Sequence, residues 1–172
     1  MDSRVAKLIN EQINKELYSA YLYMSFANYY EEAGLKGFAN WYMTQVQEER
    51  DHALIFRNYL LDNDVKVELG PIEGVEVAFD DPLAPLEAAL EHEEFITASI
   101  NQIYAAADEV HDYRTMNFLK WFIDEQLEEE ANARDMVSDM KLYGKDQGSL
   151  FAMDREAATR TYTKASPLAA AE

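Results

Sequence analysis

The chain has 172 residues with six glycines, four prolines and no cysteine, and 33 acidic against 15 basic side chains give a formal charge of -18 at pH 7. This excludes disulfide staples, thiolate zinc sites and iron-sulfur clusters. It also argues against nucleic acid and anionic membrane as partners, since both are recognised mainly through basic surface. Breakers are scarce while Ala, Leu, Glu and Met recur, so the expectation is one all-α domain over residues 1–172 with cations as its natural partners.

The N-terminal Met1-Asp2-Ser3-Arg4 runs straight into an amphipathic pattern, with no signal-peptide core and no membrane span later, so the expected location is cytoplasmic. A first helix is expected from Ser3, read as its N-cap, to Gly34, with Val5, Ile9, Ile13, Ala20, Met24 and Ala27 on its apolar stripe. A second runs from about Gly37 to Asn63 through Phe38, Trp41, Gln45, Phe56 and Tyr59, and the short link makes it antiparallel to the first.

From Asp64 to Asp81 the helical period disappears, and Val65, Val67, Leu69, Gly70, Pro71, Val75, Val77 and Pro82 read as an extended connection. A segment of that length reaches roughly 60 Å, whereas a helix of some 27 residues is only about 40 Å long. The link can therefore travel the whole bundle, and a third helix over Leu83 to Glu109 can run parallel to the second. A fourth helix is expected from Asp112 to Leu142, closed by Gly144, then a short fifth over about 147–161 and an Ala/Ser/Pro tail over 162–172. Two hairpins joined by one long crossover describe a four-helix bundle over about 3–143 with a short C-terminal fifth helix.

Each long helix breaks its apolar stripe with polar groups at nearly the same depth. Glu16 lies between Ile13 and Ala20, Glu49 and His52 between Gln45 and Phe56, Glu93 between Leu90 and Ile100, and Gln126 with Glu129 between Phe122 and Ala133. Residues three or four apart share a helix face, so each polar group points into the common interior. Burying ionised carboxylates costs on the order of several kcal/mol each unless they are paired. A multivalent cation removes that cost.

Oxygen-rich ligation with one imidazole suits iron or manganese, and carboxylates can bridge two ions. The economical arrangement is dinuclear: Glu16, Glu49 and His52 hold one ion, and Glu49 bridges to a second held by Glu93 and Glu129. Glu49-Arg50-Asp51-His52 supplies a carboxylate and an imidazole at i and i+3.

These residues stand in Asn14-Lys15-Glu16-Leu17-Tyr18-Ser19, Gln47-Glu48-Glu49-Arg50-Asp51-His52, His92-Glu93, Asn117-Phe118-Leu119-Lys120-Trp121-Phe122 and Glu125-Gln126-Leu127-Glu128-Glu129-Glu130. Together they resemble the ferritin family, over about Ala6 to Tyr162. The resemblance implies a ferroxidase that oxidises Fe(II) with O2 or H2O2 and stores ferric mineral in a hollow homo-oligomeric cage of 24 subunits. It implies the di-iron assignment above, whose general pattern is the one described for ferritin-like bundles. It places Gln126 beside the bound oxygen species, a third iron at Glu48, Glu125, Glu128 and Glu129, and Tyr23 and Trp121 close to the centre as electron donors.

The fourth helix offers Gln126-Leu127-Glu128-Glu129 where bacterioferritins carry a second Glu-x-x-His, and Arg50 stands where they place a haem-ligating Met after the bridging glutamate. No haem is therefore expected. Core packing is the ordinary reading of Tyr23 and Trp121, and solvated helix faces that of Glu48, Glu125 and Glu128. His92 faces about 100° away from Glu93 and is expected at a surface or interface rather than as a ligand, while His111 sits at a helix junction. Two rival functions share the bundle: a di-iron peroxidase or oxygenase, and a protective miniferritin-like protein. Rubrerythrin-like peroxidases use a cysteine-bound iron that this chain cannot build, and the charge disfavours the DNA association of miniferritins.

Overall fold

The computed structural model describes residues 1–75 and 78–169. Val77 of the expected connection and the last three residues of the expected tail lie outside that range. Among the described residues the chain forms α1 (Ser3–Glu32), α2 (Lys36–Asp62), α3 (Ala84–Glu109), α4 (Tyr113–Tyr143), α5 (Gln147–Ala157) and α6 (Ser166–Ala169), with no strand. The four long helices are the expected bundle, and among the described residues no helix is long and apolar enough to cross a membrane.

Helix ends are set by local chemistry. The cap of α1 is Asp2 rather than the expected Ser3, because the Asp2 carboxylate accepts from the backbone N–H of Arg4 at 2.8 Å and of Val5 at 3.3 Å. At its other end Gly34, with φ 80, closes a Schellman turn in which Leu35 N–H donates to the Tyr30 carbonyl at 2.8 Å. Asp64 (φ 58) and His111 (φ 55) close α2 and α3 in the same way. This gives His111 a structural place that its sequence context did not indicate. α2 has no side-chain cap of its own, and Asp154 of α5 supplies one by accepting from the N–H of Gly37 at 2.7 Å and of Phe38 at 3.1 Å. A Cβ at position 37 would fall 1.6 Å from the Asp154 carbonyl oxygen, so this docking requires glycine.

The crossover is tied along α1 by side-chain amides. Asn10 pairs with the backbone of Glu68, Asn14 with Gly70 and Pro71, and the Tyr30 hydroxyl donates to the Pro82 carbonyl at 2.7 Å. Anchors from Asn10 to Tyr30 cover about 30 Å of helix, so the connection returns to the other end of the bundle and α3 runs parallel to α2. Ion pairs Arg4–Glu109 at 2.5 Å and Lys141–Glu87 at 2.7 Å join the ends of neighbouring antiparallel helices.

Three expectations need correction. Met24 is exposed, since the buried face of α1 passes through Tyr23 and Ala27 instead. α5 ends at Ala157, four residues before the expected boundary. The chain beyond it is not a plain tail: Tyr162 donates to Asp51 at 2.8 Å, Ala165 N–H reaches the same carboxylate at 3.0 Å, and Leu168 of α6 is buried against the α2 side of the bundle.

The apolar core is in two parts. One cluster gathers Val5, Ile9, Ile13, Phe56, Leu60, Ile96, Ile100 and Phe122, and the other Tyr23, Phe26, Tyr30, Phe38, Tyr42, Leu86 and Val137. Between them every long helix contributes buried polar side chains: Glu16 from α1, Glu49 and His52 from α2, Glu93 from α3, Gln126 and Glu129 from α4. The interruptions read from the sequence form one polar belt.

Candidate metal centre

Helix register builds the belt. Glu49 and His52 lie one turn apart on α2, and Glu16 faces them from α1. One ligand atom from each of Glu16, Glu49 and His52 lies within 4.8 Å of the other two, close enough for one ion to touch all three. His52 Nδ1 is 3.5 Å from a Glu49 oxygen, and its Nε2 is 3.9 Å from Glu125. The Glu16 oxygen Oε2 is buried and meets no amide, hydroxyl or cationic donor, while the Glu49 carboxyl lies within hydrogen-bond reach of Glu16. An oxygen without such a donor is expensive in a dry core and fits a bound cation.

Glu93 and Glu129 stand across the belt, Glu93 with both oxygens engaged and Glu129 with one. Glu93 accepts from the Tyr23 hydroxyl and from the Gln126 amide, the latter at 3.0 Å, while Glu129 accepts from Gln45 at 2.9 Å. A small cavity of about 20 Å³, roughly one water in size, is lined by Tyr23, Gln45, Glu93 and Glu129 among others. The Trp121 ring meets the His52 ring edge-on at 5.6 Å, so both aromatics singled out in the sequence touch the belt.

The residues matched to a third ion are less collected. Glu48 is held by the Arg160 guanidinium at 2.5 Å, Glu125 approaches His52, and Glu128 is exposed. His92 is half-buried in the seam of α1 and α3, where its Nε2 and the Ser19 hydroxyl are 2.7 Å apart.

A family model of the ferritin-like domain matches residues 6–143. The chain belongs to the ferritin family. It is 40% identical over 155 residues to a bacterial non-heme ferritin of Campylobacter jejuni, covering 90% of this chain and 93% of that one. It is 30% identical over 162 residues to a bacterial non-heme ferritin of Staphylococcus aureus, covering 94% and 98%. A solved structure of an engineered closed form of the Archaeoglobus fulgidus ferritin superposes with a TM-score of 0.92 at 39% identity, covering 95% of this chain and 99% of that chain. The open pore ferritin of the same archaeon gives 0.91 at 39% identity over 94% and 98%.

Within this ferritin-family bundle the electrostatics follow from burial. Burial first, then the charge of Glu49, pushes the Glu16 carboxyl up to about 8. Burial and then Glu93 push Glu129 to about 8 as well. Burial and the charges of Glu93 and Glu129 raise Glu49 well above the carboxylate range, and burial raises Glu93 against the opposing hydrogen bonds from Tyr23 and Gln126. Without a cation Glu16 and Glu129 keep protons at neutral pH. Oxygen donors in that condition, with one imidazole, suit a hard or borderline metal that displaces the protons on entry.

Several contributors escaped the sequence. Gln12 and Ser99 are buried polar residues in the belt, and Gln12 stands one turn before Glu16, where a glutamine on an apolar stripe is a visible signal. Gln45 was noticed on its stripe, but its partner Glu129 lies on another helix. Arg160 gives no sequence signal, because it reaches Glu48 only through the course of the C-terminal segment, where its guanidinium also lies 4.0 Å over the Trp41 ring.

Proposed function

We propose that this chain, as one ferritin-like domain, is an iron-storage ferritin with an intra-subunit di-iron ferroxidase centre. Glu16, Glu49 and His52 hold the first iron, Glu49, Glu93 and Glu129 the second, and Gln126 and Tyr23 stand beside the reacting groups. The observation that carries this reading is the grouping of ligand atoms from Glu16, Glu49 and His52 within 4.8 Å in a belt that four helices build between two apolar clusters.

Iron enters as substrate, and each ferrous ion gives up one electron. With dioxygen the balance is 2 Fe(II) + O2 + 2 H⁺ → 2 Fe(III) + H2O2, and with peroxide it is 2 Fe(II) + H2O2 + 2 H⁺ → 2 Fe(III) + 2 H2O. The raised carboxyls of Glu16 and Glu129 hold protons that entering cations displace beside the site of their use. The Tyr23 phenol is pushed well up by burial and by Glu93, which keeps its proton on the oxygen that faces Glu93. Gln126 fixes Glu93 from the other side and adds a neutral group where a second histidine would add a ligand.

Glu48, Glu125 and Glu128, with Glu129, form a third iron position in this reading, and an ion there displaces Arg160 from Glu48. Ferric product is deposited inside a homo-oligomeric cage of 24 copies in the cytoplasm. Exposed Tyr21, Phe95, Leu142 and Phe151 are apolar side chains that contacts between copies would cover.

The test is an aerobic Fe(II) titration of the assembled protein beside His52→Ala and Glu93→Ala. Wild type should oxidise two ferrous ions per subunit in a fast phase, and both variants should lose that phase by at least about tenfold, as removal of a metal ligand or its partner commonly does. Equal rates and equal binding stoichiometry in all three would refute the dinuclear assignment.

A further inference from the structure

Glu16 ends a hydrogen-bonded chain that begins near the surface and that the ferroxidase reading leaves unused. The Lys15 ammonium donates to the Ser99 hydroxyl at 2.5 Å, and Ser99 donates to the Gln12 carboxamide oxygen at 2.6 Å. The Gln12 amide then donates to Glu16 Oε1 at 2.9 Å. Gln12, Ser99 and Glu16 are buried, and Lys15 is half-buried over the Phe95 ring. α1 supplies three members, and Ser99 comes across from α3.

The direction of this chain is not arbitrary. An ammonium has donors only, so Ser99 must accept from Lys15 and turn its own hydrogen elsewhere. That hydrogen goes to the Gln12 oxygen, which leaves the Gln12 NH2 facing Glu16. Had the serine accepted from Gln12 instead, the amide would present its oxygen to Glu16 and repel it once an entering cation had displaced the carboxyl proton. With Oε1 committed to Gln12, the Glu16 oxygen that meets no amide, hydroxyl or cationic donor is Oε2.

We propose that Lys15, Ser99 and Gln12 are positioning residues for the Glu16 ligand: the ammonium sets the direction of the chain, the amide holds Oε1, and Glu16 meets the ion through Oε2 alone. A carboxylate held this way takes one coordination position rather than two, which leaves a position on the first ion for the oxidant. The proposal rests on the reading that Glu16 holds iron. It differs from a role in packing because the chain is ordered by donor count, not by shape.

The probe is Co(II), added without oxygen to the assembled full-length protein, since its d–d absorption reports both occupancy and coordination number. Glu16→Ala checks the underlying reading by itself: it should lose the first ion, and unchanged binding would remove that reading before the chain is judged. Given that loss, Ser99→Ala and Lys15→Met should each weaken the first ion about tenfold, in the range found for outer partners of metal ligands. Both should also change the d–d intensity, because a freed Glu16 can bind through two oxygens, while Ser99→Thr keeps the hydroxyl and restores affinity and spectrum. Wild-type affinity and spectrum in Lys15→Met overturn the proposal, as does a loss in Ser99→Ala that Ser99→Thr fails to restore. If Ser99→Ala does not assemble, Lys15→Met decides, since the lysine lies at the outer end of the chain.

Discussion

At the scale of single residues, the chemistry is governed by what it costs to keep carboxylates dry. Glu16, Glu49, Glu93 and Glu129 are all buried and all hold protons more tightly than usual, with burial as the leading cause in each. Glu16 and Glu129 titrate near 8 in the folded chain against an ordinary value of 4.5, so between those limits the folded state binds more protons than the unfolded one. By linkage the stability of the metal-free protein falls as pH rises through that window. Thermal unfolding should show a lower Tm at pH 8.5 than at pH 6; Zn(II) should recover most of the difference, and Glu16→Gln should flatten the slope. A metal-free Tm that rises across the window would contradict the assignment of these shifts. The buried polar residues of the belt were legible because a charged residue inside an apolar stripe is a local, countable irregularity. The residues that orient them were less so: Ser99 is an unremarkable helix residue until α3 is set against α1, and Arg160 depends on where the eight residues between α5 and α6 run.

At the scale of elements, periodicity carried most of the information. The four long helices and the parallel placement of α3 followed from stripe spacing and from the reach of the crossover, and the Asn10 and Asn14 amides show how that crossover is held. Boundaries were less legible, because capping is decided by competition between adjacent candidates. Asp2 wins over Ser3 with a carboxylate that accepts two N–H groups. Composition gave no hint that α6 would bury Leu168, since four residues cannot display a period. The start of α2 depends on a distant partner: its free N–H groups are met by Asp154 of α5 rather than by a local cap. Asp154→Ala should cost about 1 kcal/mol, the usual value of an N-cap, and should raise hydrogen exchange at Gly37 and Phe38 while leaving α3 unchanged. Unaltered exchange at both amides would mean that the cap is not used in solution.

At the scale of the whole molecule, two apolar clusters and one polar belt divide the labour between folding and chemistry. The clusters supply the burial that orders the helices, and the belt carries the cost of dry charge that a cation offsets. The formal charge of -18 adds a long-range term. A surface field of several kT concentrates divalent cations and is screened within about 8 Å at physiological salt. The initial rate of Fe(II) oxidation at limiting iron should therefore fall as salt is raised from low to high concentration, and a rate independent of ionic strength would remove electrostatic steering from the account. The central claim concerns the belt itself, and iron-specific anomalous diffraction from crystals loaded with Fe(II) under anaerobic conditions tests it most directly. The account predicts two strong iron peaks per subunit between the apolar clusters, one among Glu16, Glu49 and His52 and one among Glu49, Glu93 and Glu129. Iron found only on the outer surface, with no peak in the belt, would contradict it.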